Sequence, residues 1–120
     1  MSFDFKSIKV LVIGDLMIDN YIMGSSSRLS PEAPVPVIRP TSNYSIAGGA
    51  ANVAMNISSL GAKVFCAGAV GNDSWGEKLI SILEKERIDT NNIDIIRNFK
   101  TTVKKRIFSN GEQILRIDNE

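Results

Sequence analysis

The stretch Ile46–Asp73, IAGGAANVAMNISSLGAKVFCAGAVGND, decides the fold class, because its hydrophobic pattern changes from helical to strand spacing along its length. From Ala50 the apolar residues recur at helical spacing, and Gly61 stands where a helix C-terminal cap belongs. The predicted apolar stripe of this helix consists of Val53, Ile57 and Leu60. The run Val64–Val70 that follows is typical of a buried strand.

An apolar run near the start of the chain predicts another strand. Ile8–Ile13 is short and rich in β-branched residues, and Gly14 ends it. Such a run is typical of a strand that is buried on both faces of a parallel sheet. We therefore expect Ile8–Ile13 to be a buried central strand.

A second helix is predicted directly after Val64–Val70. In residues 71–87, GNDSWGEKLISILEKER, Asp73 or Ser74 can cap the helix N-terminus, and Glu77 can complete a capping box. The predicted buried face carries Trp75, Leu79 and Leu83. The order strand, helix, strand, helix is the signature of right-handed crossover units, so we expect an α/β fold with a mainly parallel sheet flanked by helices.

Two segments depart from this alternation. Residues 21–40 contain all four prolines, which fits edge strands or a flap but not the middle of a sheet. Ile93–Ile96 is a short strand candidate, and residues 101–118 form a predicted hairpin around a type I′ turn at Asn110-Gly111. On this hairpin the predicted register puts Lys104, Arg106 and Phe108 on one face, opposite Gln113, Leu115 and Ile117.

The composition predicts one globular domain and excludes several function classes. With 120 residues, 43% hydrophobic content and a net charge of +1, the chain lacks the basic balance of a nucleic-acid or membrane-surface binder. The absence of histidine excludes histidine-based nucleophile triads from these residues. Cys66 is the only cysteine, so an internal disulfide and a cysteine zinc cluster are excluded, and we expect an inert core thiol.

The expected location is the cytoplasm. The first residues lack the pattern of a secretory signal, and no apolar run approaches the ~20 residues that cross a bilayer. We therefore expect neither a membrane partner nor a nucleic-acid partner.

Two aspartates follow the first predicted strand. Asp15 and Asp19 come after the carboxyl end of Ile8–Ile13, where open α/β sheets bind their ligands. They could accept hydrogen bonds from sugar hydroxyls or coordinate a cation. Equally, Asp15 could cap a local turn and Asp19 could be solvated.

Glycines and cations supply two further candidate sites. Gly48 and Gly49 remove Cβ atoms where a helix N-terminus exposes N–H donors, which suits either a polar ligand or a tight turn. Lys104 and Arg106 on one strand face could hold a phosphate or simply form a charged edge strand. Neither the dinucleotide fingerprint nor the phosphate-loop spacing occurs in the chain.

Taken in order, three motifs resemble the N-terminal portion of the ribokinase-type (pfkB) carbohydrate kinases. They are VIGDLMID (12–19), AGGAANVAMNISSLGA (47–62) and GAVGNDSWG (68–76). Within that family, three segments resemble the kinases that use ATP to phosphorylate D-glycero-D-manno-heptose 7-phosphate at its anomeric hydroxyl, a step towards ADP-heptose and the lipopolysaccharide core. These segments are GDLMIDNY (14–21), SRLSPEAPVPVIRP (27–40) and KKRIFSNGEQILRID (104–118).

The resemblance implies roles for seven residues. Asp15 and Asp19 would bind sugar hydroxyls, and basic groups near the sugar phosphate would be expected at Lys104 and Arg106. The start of the helix would contact the sugar through Gly48, Gly49 and Asn52. Residues 20–40 would be the lid, a small sheet that closes over the sugar and commonly mediates homodimerisation in this family.

The resemblance also implies what lies elsewhere. Residues 1–120 would be the N-terminal part of one ribokinase-like kinase domain, with ATP and Mg²⁺ bound mainly by a C-terminal part. The family's Gly-Ala-Gly-Asp segment, which carries the general base, does not occur here, so no catalytic residue is expected in these 120 residues. Two alternatives stay open: another pfkB sugar kinase of ribokinase or fructokinase type, and a non-catalytic sugar-phosphate-binding or dimerisation module.

Overall fold

The computed structural model describes residues 4–120, and these residues form two sheets and two helices. Within this range, neither helix is long and apolar enough to cross a bilayer. The elements in chain order are β1 (Lys9–Ile13), β2 (Leu16–Ser25), β3 (Arg39–Gly49), α1 (Ala50–Ser59), β4 (Lys63–Gly71), α2 (Ser74–Lys85), β5 (Asp89–Ile96), β6 (Thr102–Ser109) and β7 (Glu112–Asn119).

The first sheet is parallel and confirms the α/β class. Its strand order is β1-β4-β5, so each crossover through α1 and α2 moves the chain one strand in the same direction. Crossovers of one hand that move in one direction place their helices on one face of the sheet. The core lies between that face and the helices, and it includes Val12, Ala51, Val64, Cys66, Val70, Leu79 and Leu83.

The strand β1 does not occupy the position predicted from its sequence. β4 pairs with both β1 and β5, which leaves β1 at an edge of the sheet. Val12 points into the core, whereas Leu11 is 54% exposed and Ile13 is 73% exposed. The prediction of a buried central strand was therefore wrong, because the helices cover only one face of this sheet. We call Leu11, Ile13, Phe65 and Ile96, which share the uncovered face, the apolar outer face.

The helix α1 begins at Ala50 as predicted but buries a different stripe. Ala51 and Ala54 are fully buried, while Val53 and Leu60 are 48% and 61% exposed. Small side chains let the helix approach the sheet closely: a Cβ on Gly14 would lie 3.0 Å from the Cβ of Ala50. The predicted stripe was thus wrong for its two most exposed members.

The ends of both helices match most of the predicted capping. Gly61 has a φ of 102° and follows the C-cap residue Leu60, the position where a left-handed glycine commonly ends a helix. Asp73 caps α2 by accepting a hydrogen bond from the Gly76 amide at 2.7 Å. With Asp73 as the cap, the third helical position is Gly76, so Glu77 stands one residue too late to complete a capping box.

The second sheet is mixed and has the strand order β3-β2-β6-β7. Its outer pairs are antiparallel, and its central pair, β2 with β6, is parallel. Residues 21–25 lie in an interior strand, so the prediction of an edge or flap was wrong for them. It holds for the prolines: Pro40 lies in the edge strand β3, and the other three lie between β2 and β3.

The hairpin β6–β7 contains an irregularity that the sequence did not predict. Asn110 and Gly111 have φ values of 52° and 84°, as a type I′ turn requires. A register shift between Ile107 and Phe108 then places Asp118 opposite Lys104, where the regular hairpin has Ile117. The side chains of Lys104 and Phe108 still share a face with Arg106, but their predicted cross-strand neighbours were partly wrong.

Candidate functional site

A cleft of about 310 Å³ opens where the chain passes from β1 into β2. This is the carboxyl end of the parallel sheet, where α/β folds gather ligands, and the volume lies at the low end for small-molecule sites. The lining includes Gly14, Asp15, Met17, Phe99, Thr102 and Lys104. Two residues predicted separately, Asp15 and Lys104, therefore meet in one cleft.

Lys104 contributes a cation to this cleft. Lys104 lies on β6, and its Cα partners are Asp19 on β2 and Asp118 on β7. Both strands that flank β6 therefore carry a carboxylate beside Lys104. Among residues 4–120, its ammonium group forms no ion pair. Its three N–H donors are therefore available to an anionic ligand.

Asp19 and Arg106 form an ion pair on the same face of the four-stranded sheet as Lys104. The Arg106 Nη1 donates to the Asp19 Oδ1 at 3.0 Å, and both side chains are only about one-fifth exposed, at 21% and 19%. The guanidinium also lies 5.6 Å from the centre of the Tyr21 ring. The hydrogen bond to Asp19 raises the pKa of Arg106 above its already high value, so this group stays charged.

The glycines at the end of β3 are explained first by close packing against β2. A Cβ on Gly48 would lie 2.8 Å from the Asp19 Oδ2, so the Asp19 carboxylate rests directly on this backbone. Gly49 has a φ of 57°, and a Cβ there would lie 2.5 Å from the carbonyl oxygen of Asp15. The same carbonyl accepts the Ala50 amide at 2.8 Å, which ties the start of α1 to the cleft.

Asn52 stands apart from the other predicted residues. It lies in the first turn of α1 with an exposed side chain, and it does not line the cleft. Within the described part of the chain its amide makes no hydrogen bond. The contacts predicted between the sugar and Gly48, Gly49 or Asn52 stay predictions.

Sequence reasoning missed most of the residues that line the cleft, among them Met17, Phe99 and Thr102. Met17 lies inside the GDLMID motif, but its apolar side chain gave no reason to single it out. Phe99 gave a usable signal, since it is a lone aromatic residue in the polar connection RNFKTT, residues 97–102. For residues 4–120, no three acidic, histidine or cysteine side chains cluster as a metal site would require.

Similarity to known proteins extends over nearly the whole chain. The bifunctional protein HldE of Haemophilus influenzae is 50% identical over 119 residues, which covers 99% of this chain and 25% of that protein. The bifunctional protein HldE of Helicobacter pylori is 52% identical over 112 residues, covering 93% of this chain and 24% of that protein. The chain thus spans about a quarter of the length of the curated relatives it matches.

Solved structures share the fold. A putative ribokinase from Agrobacterium tumefaciens superposes with a TM-score of 0.75 at 23% identity, covering 94% of this chain and 36% of that one. A ribokinase from Cryptococcus neoformans in complex with ADP gives a TM-score of 0.68 at 25% identity, covering 94% and 34%. The expected ribokinase-like fold is therefore confirmed.

The sequence also matches a protein family as a whole. Residues 7–120 match the profile described as pfkB family carbohydrate kinase, and this range contains both sheets, both helices and the cleft. The chain therefore belongs to the pfkB family of carbohydrate kinases.

Proposed function

We propose that the full-length protein phosphorylates D-glycero-D-manno-heptose 7-phosphate at its anomeric hydroxyl, in the cytoplasmic synthesis of ADP-heptose for the lipopolysaccharide core. One observation carries the proposal: Asp15 and Lys104 both line the cleft, and among residues 4–120 the Lys104 ammonium forms no ion pair. A sugar phosphate presents both hydroxyl donors and an anion, which these two groups match. The resemblance to the heptose 7-phosphate kinases and the similarity to HldE favour heptose 7-phosphate over other sugar phosphates as the substrate.

Under this proposal the chain supplies the sugar-binding side of the site. Asp15 and Asp19 accept hydrogen bonds from sugar hydroxyls. Lys104 binds the phosphate, and Arg106, already held by Asp19, adds its free N–H groups. The backbone at Gly48 and Gly49 and the Asn52 amide complete the contacts from the start of α1.

We propose ATP with Mg²⁺ as the phosphoryl donor and assign neither to a side chain of residues 4–120. We further propose the four-stranded sheet as the lid; of the predicted lid, residues 20–25 and 39–40 lie in this sheet and residues 26–38 lie outside it. Its closure excludes water, which would otherwise compete with the anomeric hydroxyl for the transferred phosphoryl group.

We further propose a homodimer formed through the lid. Tyr21 stacks on Tyr44 with ring centres 5.1 Å apart, and Phe108 lies 6.2 Å from Tyr21 on the other side. Tyr44 and the neighbouring Ile46 are nearly half exposed. This aromatic row across three strands supports an interface, since aromatic residues are enriched in protein interfaces.

A substrate panel tests the proposed reaction. The full-length protein is assayed with ATP and D-glycero-D-manno-heptose 7-phosphate, the unphosphorylated heptose, ribose and fructose. We expect the heptose 7-phosphate to have the highest kcat/KM. A preference for ribose or fructose would favour the ribokinase or fructokinase alternative, and binding without turnover would favour the non-catalytic alternative.

A charge substitution tests the site. Lys104→Gln removes the charge of Lys104 from the cleft, and we expect the KM for heptose 7-phosphate to rise about tenfold or more while the KM for ATP stays unchanged. The matched control is Lys105→Gln, because Lys105 is the next residue on the same strand but points to the opposite face. Equal effects of the two substitutions on the sugar-phosphate KM would contradict the assignment.

A further inference from the structure

Asp73 does more than cap α2. Its Oδ1 accepts the Gly76 amide at 2.7 Å and the Thr101 hydroxyl at 2.7 Å, and its Oδ2 accepts the Thr101 amide at 3.1 Å. The Thr101 hydroxyl in turn accepts the Gly71 amide at 2.9 Å. We call these four residues, Gly71, Asp73, Gly76 and Thr101, the clasp. An ordinary N-cap needs only the first of these bonds, so the two bonds to Thr101 call for another explanation.

The two glycines of the clasp have no room for a side chain. A Cβ on Gly71 would collide with the carbonyl oxygen of Phe99 and would lie 2.9 Å from the Thr101 amide nitrogen. A Cβ on Gly76 would collide with the carbonyl oxygen of Gly71 and would lie 3.0 Å from the Thr101 Oγ1. Thr101 is only 4% exposed. The connection from β5 is therefore fixed against α2 at this one residue.

The position of Thr101 gives the clasp its importance. Thr101 directly precedes β6, and Thr102 begins the pairing of β6 with β2 by lying opposite Met17. Phe99, Thr102 and Lys104, which surround Thr101 in sequence, all line the cleft. Since successive residues of a strand point to opposite faces, a shift of one residue at the entry to β6 would turn Lys104 away from the cleft.

We infer that Asp73 and Thr101 are positioning residues for sugar-phosphate binding: the clasp fixes the register in which β6 enters the lid and so directs Lys104 into the cleft. This inference rests on the proposed function. The carboxylate of Asp73 acts through the hydroxyl and the main-chain amide of Thr101 and touches no substrate.

The test compares variants of the full-length protein. Thr101→Val keeps the shape of the side chain and removes both hydroxyl bonds, whereas Thr101→Ser keeps the hydroxyl. We expect Thr101→Val to raise the KM for heptose 7-phosphate about tenfold with the KM for ATP within about twofold, because a small misplacement of a binding group is costly. Thr101→Ser should restore the sugar-phosphate KM to within about twofold of the wild type.

A control separates positioning from stability. Leu83→Ala removes a buried side chain from the far part of α2 and should lower the Tm at least as much as Thr101→Val, but leave both KM values unchanged. Thr101→Val could instead lower the Tm without changing the ratio of the KM for heptose 7-phosphate to the KM for ATP from that of Leu83→Ala. In that case the clasp has a structural role only, and the inference is overturned.

Two further measurements keep the inference testable in every outcome. If the wild type phosphorylates no sugar phosphate, the proposed function has failed, but hydrogen exchange still tests the inference. Thr101→Val should speed the exchange of amides 102–109 but not of amides 89–96. The inference is overturned if the substitution changes the exchange rates of the two segments equally. If Thr101→Val does not fold, Asp73→Asn replaces it. Asparagine still caps the helix, but its amide NH₂ would face the Thr101 N–H.

Discussion

At the scale of single residues, the carboxylate of Asp73 is held in its charged form. Burial would raise its pKa, but hydrogen bonds from the side chain and backbone of Thr101 and from the backbone of Gly76 and Trp75 outweigh this effect and lower the pKa below its usual range. Protonation of Asp73 therefore weakens the folded state more than the unfolded state.

The lowered pKa predicts a pH dependence of stability. The contribution of Asp73 is fully present above the unfolded-state pKa of about 3.9 and is lost as the pH falls through the lower, folded-state pKa. In urea unfolding of the full-length protein, the gap in unfolding free energy between the wild type and Asp73→Asn should stay constant above about pH 5 and shrink below about pH 4.

The matched substitution for this prediction is Asp94→Asn on the exposed side of β5. If the gap of this control shrinks as much as that of Asp73→Asn, the pH dependence does not come from the hydrogen bonds of Asp73. Parallel pH curves for the wild type and Asp73→Asn would contradict the assigned hydrogen bonds.

The candidate residues could be singled out one at a time from the sequence, but the contacts between them could not. Asp15, Asp19, Lys104 and Arg106 were chosen as candidates from residue type and position along the predicted strands. The bond between Asp19 and Arg106 joins residues 87 positions apart, and no local pattern reports such a contact. It forms because β2 and β6 become neighbours, which is a property of the topology.

At the scale of elements, the junction between β3 and α1 depends on a glycine for two separate reasons. Gly49 has a positive φ and also lies too close to the Asp15 carbonyl oxygen to accept a Cβ. Gly61, at the other end of α1, also has a positive φ, but a Cβ there would meet no atom within 4 Å. Substitutions at the two ends of α1 therefore separate the cost of backbone strain from the cost of a steric collision.

We predict that Gly61→Ala destabilises the protein by about 1–2 kcal/mol, the cost of a left-handed backbone with a side chain. Gly49→Ala should cost clearly more, because the collision with the Asp15 carbonyl adds to the same strain. Urea unfolding of both variants measures the difference. Equal losses of unfolding free energy would mean that β2 and β3 can move apart at little cost.

The presence of the two helices could be predicted from the sequence better than the faces that they bury. Both helices start where the pattern changes; Asp73 marks the start of α2 and Gly61 the end of α1. The buried face of α1 was misjudged because the hydrophobic pattern favours Val53 and Leu60, while close packing against the sheet favours Ala51 and Ala54. The register shift in the β6–β7 hairpin has no signal in the Asn-Gly turn that joins its strands.

At the scale of the whole molecule, the described residues form a flat and open body. The radius of gyration is 17.5 Å, and the extents are 59 × 44 × 18 Å. A compact chain of this length would have a radius of about 14 Å. The apolar outer face and the edge of β1 contribute to this openness, as expected for a parallel sheet with helices on one face only.

The openness predicts self-association of the 120-residue chain. Exposed apolar patches and uncovered strand edges promote association, so sedimentation should show oligomers that grow with concentration. Leu11→Lys should reduce them, because it places a charge on both the apolar outer face and the edge strand. Val53→Lys, which changes a similarly exposed apolar residue on α1, is the control, and an equal effect of both would contradict the prediction.

The parallel pairing of β2 with β6 also has a consequence for synthesis on the ribosome. The strands β2 and β3 leave the ribosome early and can form their hairpin at once, but β6 follows only after β4, both helices and β5. At ordinary translation speeds this delay lasts several seconds. During that time the nascent hairpin of β2 and β3 carries an unpaired β2 edge, so we expect ribosome-associated chaperones to bind this interval of the growing chain.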